Sequence, residues 1–107
     1  MDLVLLFQAD SDIQSAFERY EKIQTGRGEI FLRQLDLTLG MLRRHPHIGS
    51  AYSGPYRRIL MRDFPYGVFY SIQGSRIVVA AVMNLRQNPQ SIKKRLIGEQ
   101  PGPPEPD

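Results

Sequence analysis

The chain has 107 residues, 41% of them apolar, no cysteine and a formal net charge of +3. That length suits one domain with one modest core, and the apolar share is too high for a disordered protein. The lack of cysteine excludes a disulfide framework and a thiolate metal site, and no run approaches the roughly 20 apolar residues of a membrane span.

The first residues carry no basic segment ahead of their short apolar run. They do not read as a signal peptide, and a cytoplasmic protein is the expectation. Leu3 to Phe7 reads as a buried strand. Ser11-x-x-Gln14 has the form of a capping box, with Asp10 as a competing N-cap. Ile13, Ala16, Phe17, Tyr20 and Ile23 follow at helical spacing, and Gly26 and Gly28 are expected to end this helix. A second helix is predicted from about Glu29. Phe31, Leu32, Leu35, Thr38, Leu39 and Leu42 form its apolar stripe, Arg43 and Arg44 occupy its last turn, and Pro46 stops it. Two such helices around a Gly-rich turn read as an antiparallel hairpin.

His45 to Pro55, rich in Pro, Gly and Ser, reads as a loop. The period then changes to two. Tyr56 to Arg62 alternates, Asp63-Phe64-Pro65 breaks the run, and Tyr66 to Ile72 forms a second strand. After the turn at Gln73-Gly74-Ser75, Arg76 to Met83 forms a third. Val78 to Val82 is apolar on both faces, which places that strand inside the sheet. Asn88-Pro89 has the form of an N-cap with proline at the first helical position, ahead of a short helix over Gln90 to Ile97. Glu99 to Asp107 holds four prolines, one glycine and three acids, a composition expected to be disordered. We therefore expect one α+β domain over residues 1–97: an N-terminal strand, an antiparallel helical hairpin packed on an antiparallel β-sheet, and a short C-terminal helix. A Pro-rich acidic tail fills residues 98–107.

Charge is segregated along the chain. Met1 to Gly40 holds four basic and seven acidic residues, net −3, whereas Met41 to Ile97 holds ten basic residues against Asp63 alone, net +9. A basic stretch of this kind favours an acidic partner. His45 and His47 flank a proline with no nearby carboxylate or thiolate, so a metal site is not expected. Arg57, Arg58 and Arg62 come from one strand, and Arg86 follows the last. Their permanently charged forks suit phosphate or carboxylate, and they equally suit ion pairs with the acidic first half of the chain. Proton carriers are scarce in the strand region. Asp63 lies at a turn, and Tyr66 and Tyr70 sit at alternating positions where rings more often belong to the core.

A family resemblance rests on a longer set of residues in order. These are Ala9 with Asp12-Ile13, Gly28 with Phe31, Leu42 followed by Pro46 and Gly49, Arg57-Arg58, Phe64-Pro65-Tyr66-Gly67-Val68-Phe69-Tyr70, and Ala81-Val82-Met83 leading to Arg86 and Pro89. Over roughly Ala9 to Leu96 the chain resembles the ParE/RelE toxin superfamily, and the Phe-Pro-Tyr-Gly pattern is more similar to ParE than to RelE. The resemblance implies the toxin of a type II toxin–antitoxin system, as in plasmid stabilisation. Its partner would be a cognate antitoxin encoded in the same operon. The ParE branch implies growth arrest by inhibition of DNA gyrase through protein binding. The RelE branch implies cleavage of mRNA on the ribosome.

Carried over by position, Arg86 matches the catalytic arginine of RelE-like members. Gly67 stands where they have a second arginine, Ile92 stands near their catalytic tyrosine, and Asn84 stands where many have histidine. Arg86 is the one catalytic candidate if the chain is a ribonuclease. Target- or antitoxin-binding candidates are Arg57, Arg58, Arg62, Tyr66, Tyr70, Asn84 and Arg86. No cofactor, metal or membrane contact is expected, and self-association through an exposed sheet edge stays open.

Overall fold

The computed structural model describes residues 1–98; the part of the expected disordered tail from Glu99 onward lies outside the described residues. The described elements are β1 (Asp2–Leu5), α1 (Phe7–Ile23), α2 (Arg27–Arg44), β2 (Ser50–Ser53), β3 (Tyr56–Leu60), β4 (Tyr66–Gln73), β5 (Arg76–Asn84) and α3 (Pro89–Gly98). The expected α+β architecture holds, with the hairpin α1–α2 against one face of the sheet. The strands lie in the order β1-β5-β4-β3-β2. β2 to β5 form an antiparallel meander, and β1 joins β5 in parallel, Leu3 opposite Ile77 and Leu5 opposite Val79. The sheet is therefore mixed rather than wholly antiparallel. A parallel pair needs a long crossover, which the intervening hairpin and meander supply. β5 gains a neighbour on each side, in keeping with its two apolar faces.

Four boundaries differ from the sequence expectation, and for the two at the helices the local reason is visible. Phe7 is the first residue of α1, and the capping box at Ser11 is not used. The Leu6 N–H donates to the Val79 carbonyl at 3.0 Å, while the Leu6 carbonyl accepts from the Asp10 N–H at 3.1 Å. The ladder thus passes into the helix within one residue. Gly28 belongs to α2 instead of ending α1. A Cβ there would lie 2.7 Å from the Phe17 ring and 2.9 Å from Glu21 Oε1, so close approach requires the glycine. The Glu21 carboxylate accepts from the N–H groups of Gly26 (2.9 Å) and Gly28 (3.0 Å), which places a negative acceptor at the open N-terminus of α2. The expected loop over His45–Pro55 contains the short edge strand β2, and β3 ends at Leu60, before Arg62.

The main core lies between hairpin and sheet. Ala9, Ala16, Tyr20, Phe31, Leu35, Leu39 and Leu42 pack on Val68, Tyr70, Ile77, Val79 and Val82. Tyr20, Phe31, Phe64 and Tyr66 form an aromatic cluster with ring centroids 4.9–6.0 Å apart. A second core lies on the opposite face, where Ile92 and Leu96 of α3 cover Tyr56, Phe69, Ala80, Ala81 and Met83. In the β4–β5 ladder Phe69 pairs with Ala81 and Tyr70 with Val79, leaving Ala80 as a bulge. Beyond the end of β1 the edge of β5 is open, and Asp12 of α1 fills the gap. Its Oδ2 accepts from the Val82 N–H at 2.9 Å and from Arg95 Nη2 of α3 at 2.8 Å. Among the described residues no helix is long and apolar enough to cross a membrane.

Candidate functional site

The seven candidate binding residues do not converge on one site. Arg57 and Tyr70 both hold the loop before β2. Arg57 Nη1 donates to the carbonyls of Gly49 (2.6 Å) and His47 (3.2 Å). The Tyr70 hydroxyl donates to the Pro46 carbonyl at 2.8 Å and accepts from the Gly49 N–H at 2.9 Å. Tyr70 is fully buried, so its ring offers no surface to a partner. Tyr66 is also buried and bonds to Asn84 and Arg19; burial pushes its phenol above the ordinary value, and the neighbouring Tyr20 adds to the effect. Asn84 Oδ1 accepts from the backbone N–H of Arg86 at 2.9 Å, which fixes the turn after β5. Tyr66, Tyr70 and Asn84 thus carry internal structure.

Arg62, Arg58 and Arg86 remain, on two different surfaces. Arg62 is exposed on the rim of a groove of about 810 Å³ between α2 and the end of β3. Leu37, Met41, Ile59 and Leu60 line it with Gln34, Thr38, Arg44 and Asp63. Leu37 and Leu60 are 61% and 56% exposed, a large apolar area for water to cover. Arg58 points to the opposite face of the sheet. Its Cζ lies 5.1 Å from the Tyr52 ring centroid, and Lys93 Nζ of α3 lies 5.9 Å from the same ring. Tyr52 also packs edge-on against Phe69 at 5.1 Å. Arg86 is exposed in the loop that leads to α3.

Neutralisation by the acidic first half of the chain does not account for these arginines. Among the described residues the ion pair is Asp12–Arg95, and no carboxylate lies within ion-pair distance of Arg57, Arg58, Arg62 or Arg86. No group of three or more His, Asp and Glu side chains among the described residues could hold a metal ion.

Of the positions matched to RelE-like cleavage groups, Gly67 and Ile92 lie in packed surroundings. A Cβ on Gly67 would sit 3.0 Å from Leu85 Cδ2 and 3.4 Å from Arg58 Cγ, so a side chain there must displace its neighbours. Ile92 is buried between α3 and the sheet. The groove residues Leu37, Met41 and Leu60 and the contacting pair Tyr52 and Lys93 were not among the sequence candidates. A signal for the groove existed: Leu37 and Met41 stand at i and i+4 on α2, outside the stripe that fills the core. The Tyr52 contacts depend on β2 and α3 meeting over the sheet, which no local pattern encodes.

The family model described as "ParE toxin of type II toxin-antitoxin system, parDE" matches residues 3–89. A chain of the solved structure "Chromosomal ParDE TA system from P. aeruginosa" is similar in fold, with a TM-score of 0.72 at 13% identity. The match covers 80% of this chain and 97% of that one. No curated protein matches the chain in sequence.

Proposed function

The chain belongs to the family of ParE toxins of type II toxin–antitoxin systems, and from that premise we propose that it acts by gripping proteins: it inhibits DNA gyrase, and a cognate antitoxin neutralises it. The observation that carries a gripping role is the groove between α2 and β3. Leu37, Met41, Ile59 and Leu60 offer an apolar floor, and Arg44 and Arg62 stand beside it. An amphipathic segment with one apolar face and flanking acids is complementary to that surface, the mode by which a helix or strand is laid into a groove. Antitoxins of this kind fold on binding and gain affinity from such anchors.

Support for inhibition without chemistry comes from the surroundings of Arg86. Among the matched positions, Gly67 and Ile92 lack proton-transferring or charged side chains, and Asn84 is engaged in the turn. Tyr66 is buried and its phenol is harder to ionise than usual, so it is a poor general base near neutral pH. A charge-bearing arginine alone does not complete general acid–base cleavage of RNA.

Two assays test this. In a supercoiling reaction with purified gyrase, the toxin should block supercoiling or trap cleaved DNA; the absence of both removes the gyrase assignment. Co-expression with the neighbouring upstream gene product should yield a stable complex and restore growth. A translation reaction read by primer extension distinguishes the RelE-like alternative, since ribosome-dependent cuts that vanish in Arg86→Ala would establish it.

A further inference from the structure

The face of the sheet under α3 carries cations that neither the core nor the groove uses. Arg58 and Lys93 approach the ring of Tyr52, at 5.1 and 5.9 Å from its centroid, and among the described residues neither has a carboxylate within ion-pair distance. Lys94 is exposed on the same helix, and Arg86 is exposed in the loop leading into it. From Ser50 to Gly98 the only acid is Asp63, which lies on the α2 groove, away from α3. Asp12 of α1 reaches α3 as well, where it pairs with Arg95, and the aromatic-held cations Arg58 and Lys93 keep no such partner among the described residues and are suited to a polyanion.

Two details select among polyanions. Most of the apolar surface of this face is covered, because Ile92 and Leu96 bury Tyr56, Phe69, Ala81 and Met83, and Ile97 is left exposed at its edge. An amphipathic acidic peptide would find Ile97 as its anchor there, whereas the α2–β3 groove offers Leu37, Met41 and Leu60 together. The Tyr52 ring is engaged by two cations and by Phe69, so it is not free to stack on an unpaired base. Recognition of single strands relies on such stacking, but the backbone of a duplex asks only for placed positive charge.

We propose that the Tyr52–Arg58–Lys93 face binds the phosphodiester backbone of double-stranded DNA without sequence preference. The site lies across the sheet from the antitoxin groove and binds DNA whether or not gyrase is the target.

The test is fluorescence anisotropy of the purified full chain with a labelled duplex of about 20 base pairs, from 50 to 200 mM salt, in the range where phosphate contacts dominate. Log affinity should fall linearly with log salt. Arg58→Gln with Lys93→Gln should weaken binding at least tenfold and make the slope shallower by about 1.8, at about 0.9 per lost phosphate contact. The exposed Lys93→Gln alone should account for about half of that, which separates charge loss from any misfolding of the double variant. Arg76→Gln, at the opposite end of β5, should leave the slope unchanged. Equal or tighter binding of polyglutamate overturns the proposal in favour of an acidic polypeptide. Preference for single-stranded RNA, no binding at 50 mM salt, or an unchanged slope in the Lys93 variant each overturn it as well.

Discussion

Replacing Tyr70 by phenylalanine removes one oxygen from a fully buried ring and keeps the packing of the core. That oxygen serves two groups, the Pro46 carbonyl at 2.8 Å and the Gly49 N–H at 2.9 Å. Each hydrogen bond is worth about 1 kcal/mol net, and a buried N–H left without an acceptor costs about 1–3 kcal/mol. We expect a loss of about 2–3 kcal/mol. For a domain of this size each kcal/mol lowers Tm by about 4–8 °C, so the melting point should fall by about 10–20 °C. Urea unfolding should show a lower midpoint at unchanged m-value, as expected when stability changes and compactness does not. Arg57 grips the same residue through the Gly49 carbonyl at 2.6 Å. The double variant with Arg57→Ala should therefore show a coupling of more than about 0.5 kcal/mol. A loss below about 0.5 kcal/mol for Tyr70→Phe, or strict additivity with Arg57→Ala, would refute the view that the two side chains jointly hold the 46–49 loop.

Three other outcomes follow from the same coordinates. Gly28→Ala should destabilise the fold by about 1–2 kcal/mol despite alanine's better helix propensity, because the new Cβ meets Phe17 at 2.7 Å; Gly40→Ala in the same helix, where the nearest atom is 3.7 Å away, should stabilise by about 0.5–1 kcal/mol in the same denaturation assay. Leu37→Asp with Met41→Asp should weaken antitoxin capture at least tenfold while changing Tm little, since both side chains are exposed; unchanged capture removes the groove as the antitoxin seat. Tyr66 should titrate above the ordinary phenol range in ultraviolet difference spectra. Its phenol stays neutral in the folded state and ionises first in the unfolded one, so its contribution is full below pH 10 and is lost as pH rises through its higher folded value; Tyr66→Phe should show a shallower alkaline decline in stability.

What could be read from sequence was what periodicity and breakers record. The stripes of α1 and α2, the switch to period two at Tyr56, and the double-faced apolar run of β5 all reflect one element meeting one environment. Gly28 reads as a helix stop by composition but is a contact residue, because its reason lies in Phe17 and Glu21 on the other helix. Tyr70 and Arg57 carry the family motif and look like binding residues; their partners are the backbone of Pro46, His47 and Gly49. β2 has only four residues and earns its strand identity from pairing with β3, with Ser50 opposite Arg58 and Ala51 opposite Arg57. Such features depend on long-range placement. Motif residues at the right order and gaps could identify the family, while their roles had to wait for geometry.

Asp12 shows how one side chain can connect the two faces. The bulge at Ala80 and the end of β1 leave the Val82 N–H at an open edge, and the same carboxylate oxygen that accepts it also receives Arg95 from α3. The Asp12 and Arg95 side chains are 17% and 25% exposed, so their ion pair should contribute no more than about 1 kcal/mol. The backbone bond is the larger effect, because without Asp12 the Val82 N–H loses its protein acceptor at a strand inside the core. Asp12→Asn keeps a carbonyl for that N–H and discards the charge, whereas Asp12→Ala discards both. Stability should therefore fall in the order wild type, Asn, Ala, with the larger step between Asn and Ala. Hydrogen exchange of the α3 amides should accelerate in both variants, since Arg95 loses the charge of Asp12 in each. Equal stability of the Asn and Ala variants would show that the N–H is satisfied by solvent and that the bulge needs no partner from α1. Protection of α3 identical to wild type would show that the helix is held without the Asp12–Arg95 ion pair.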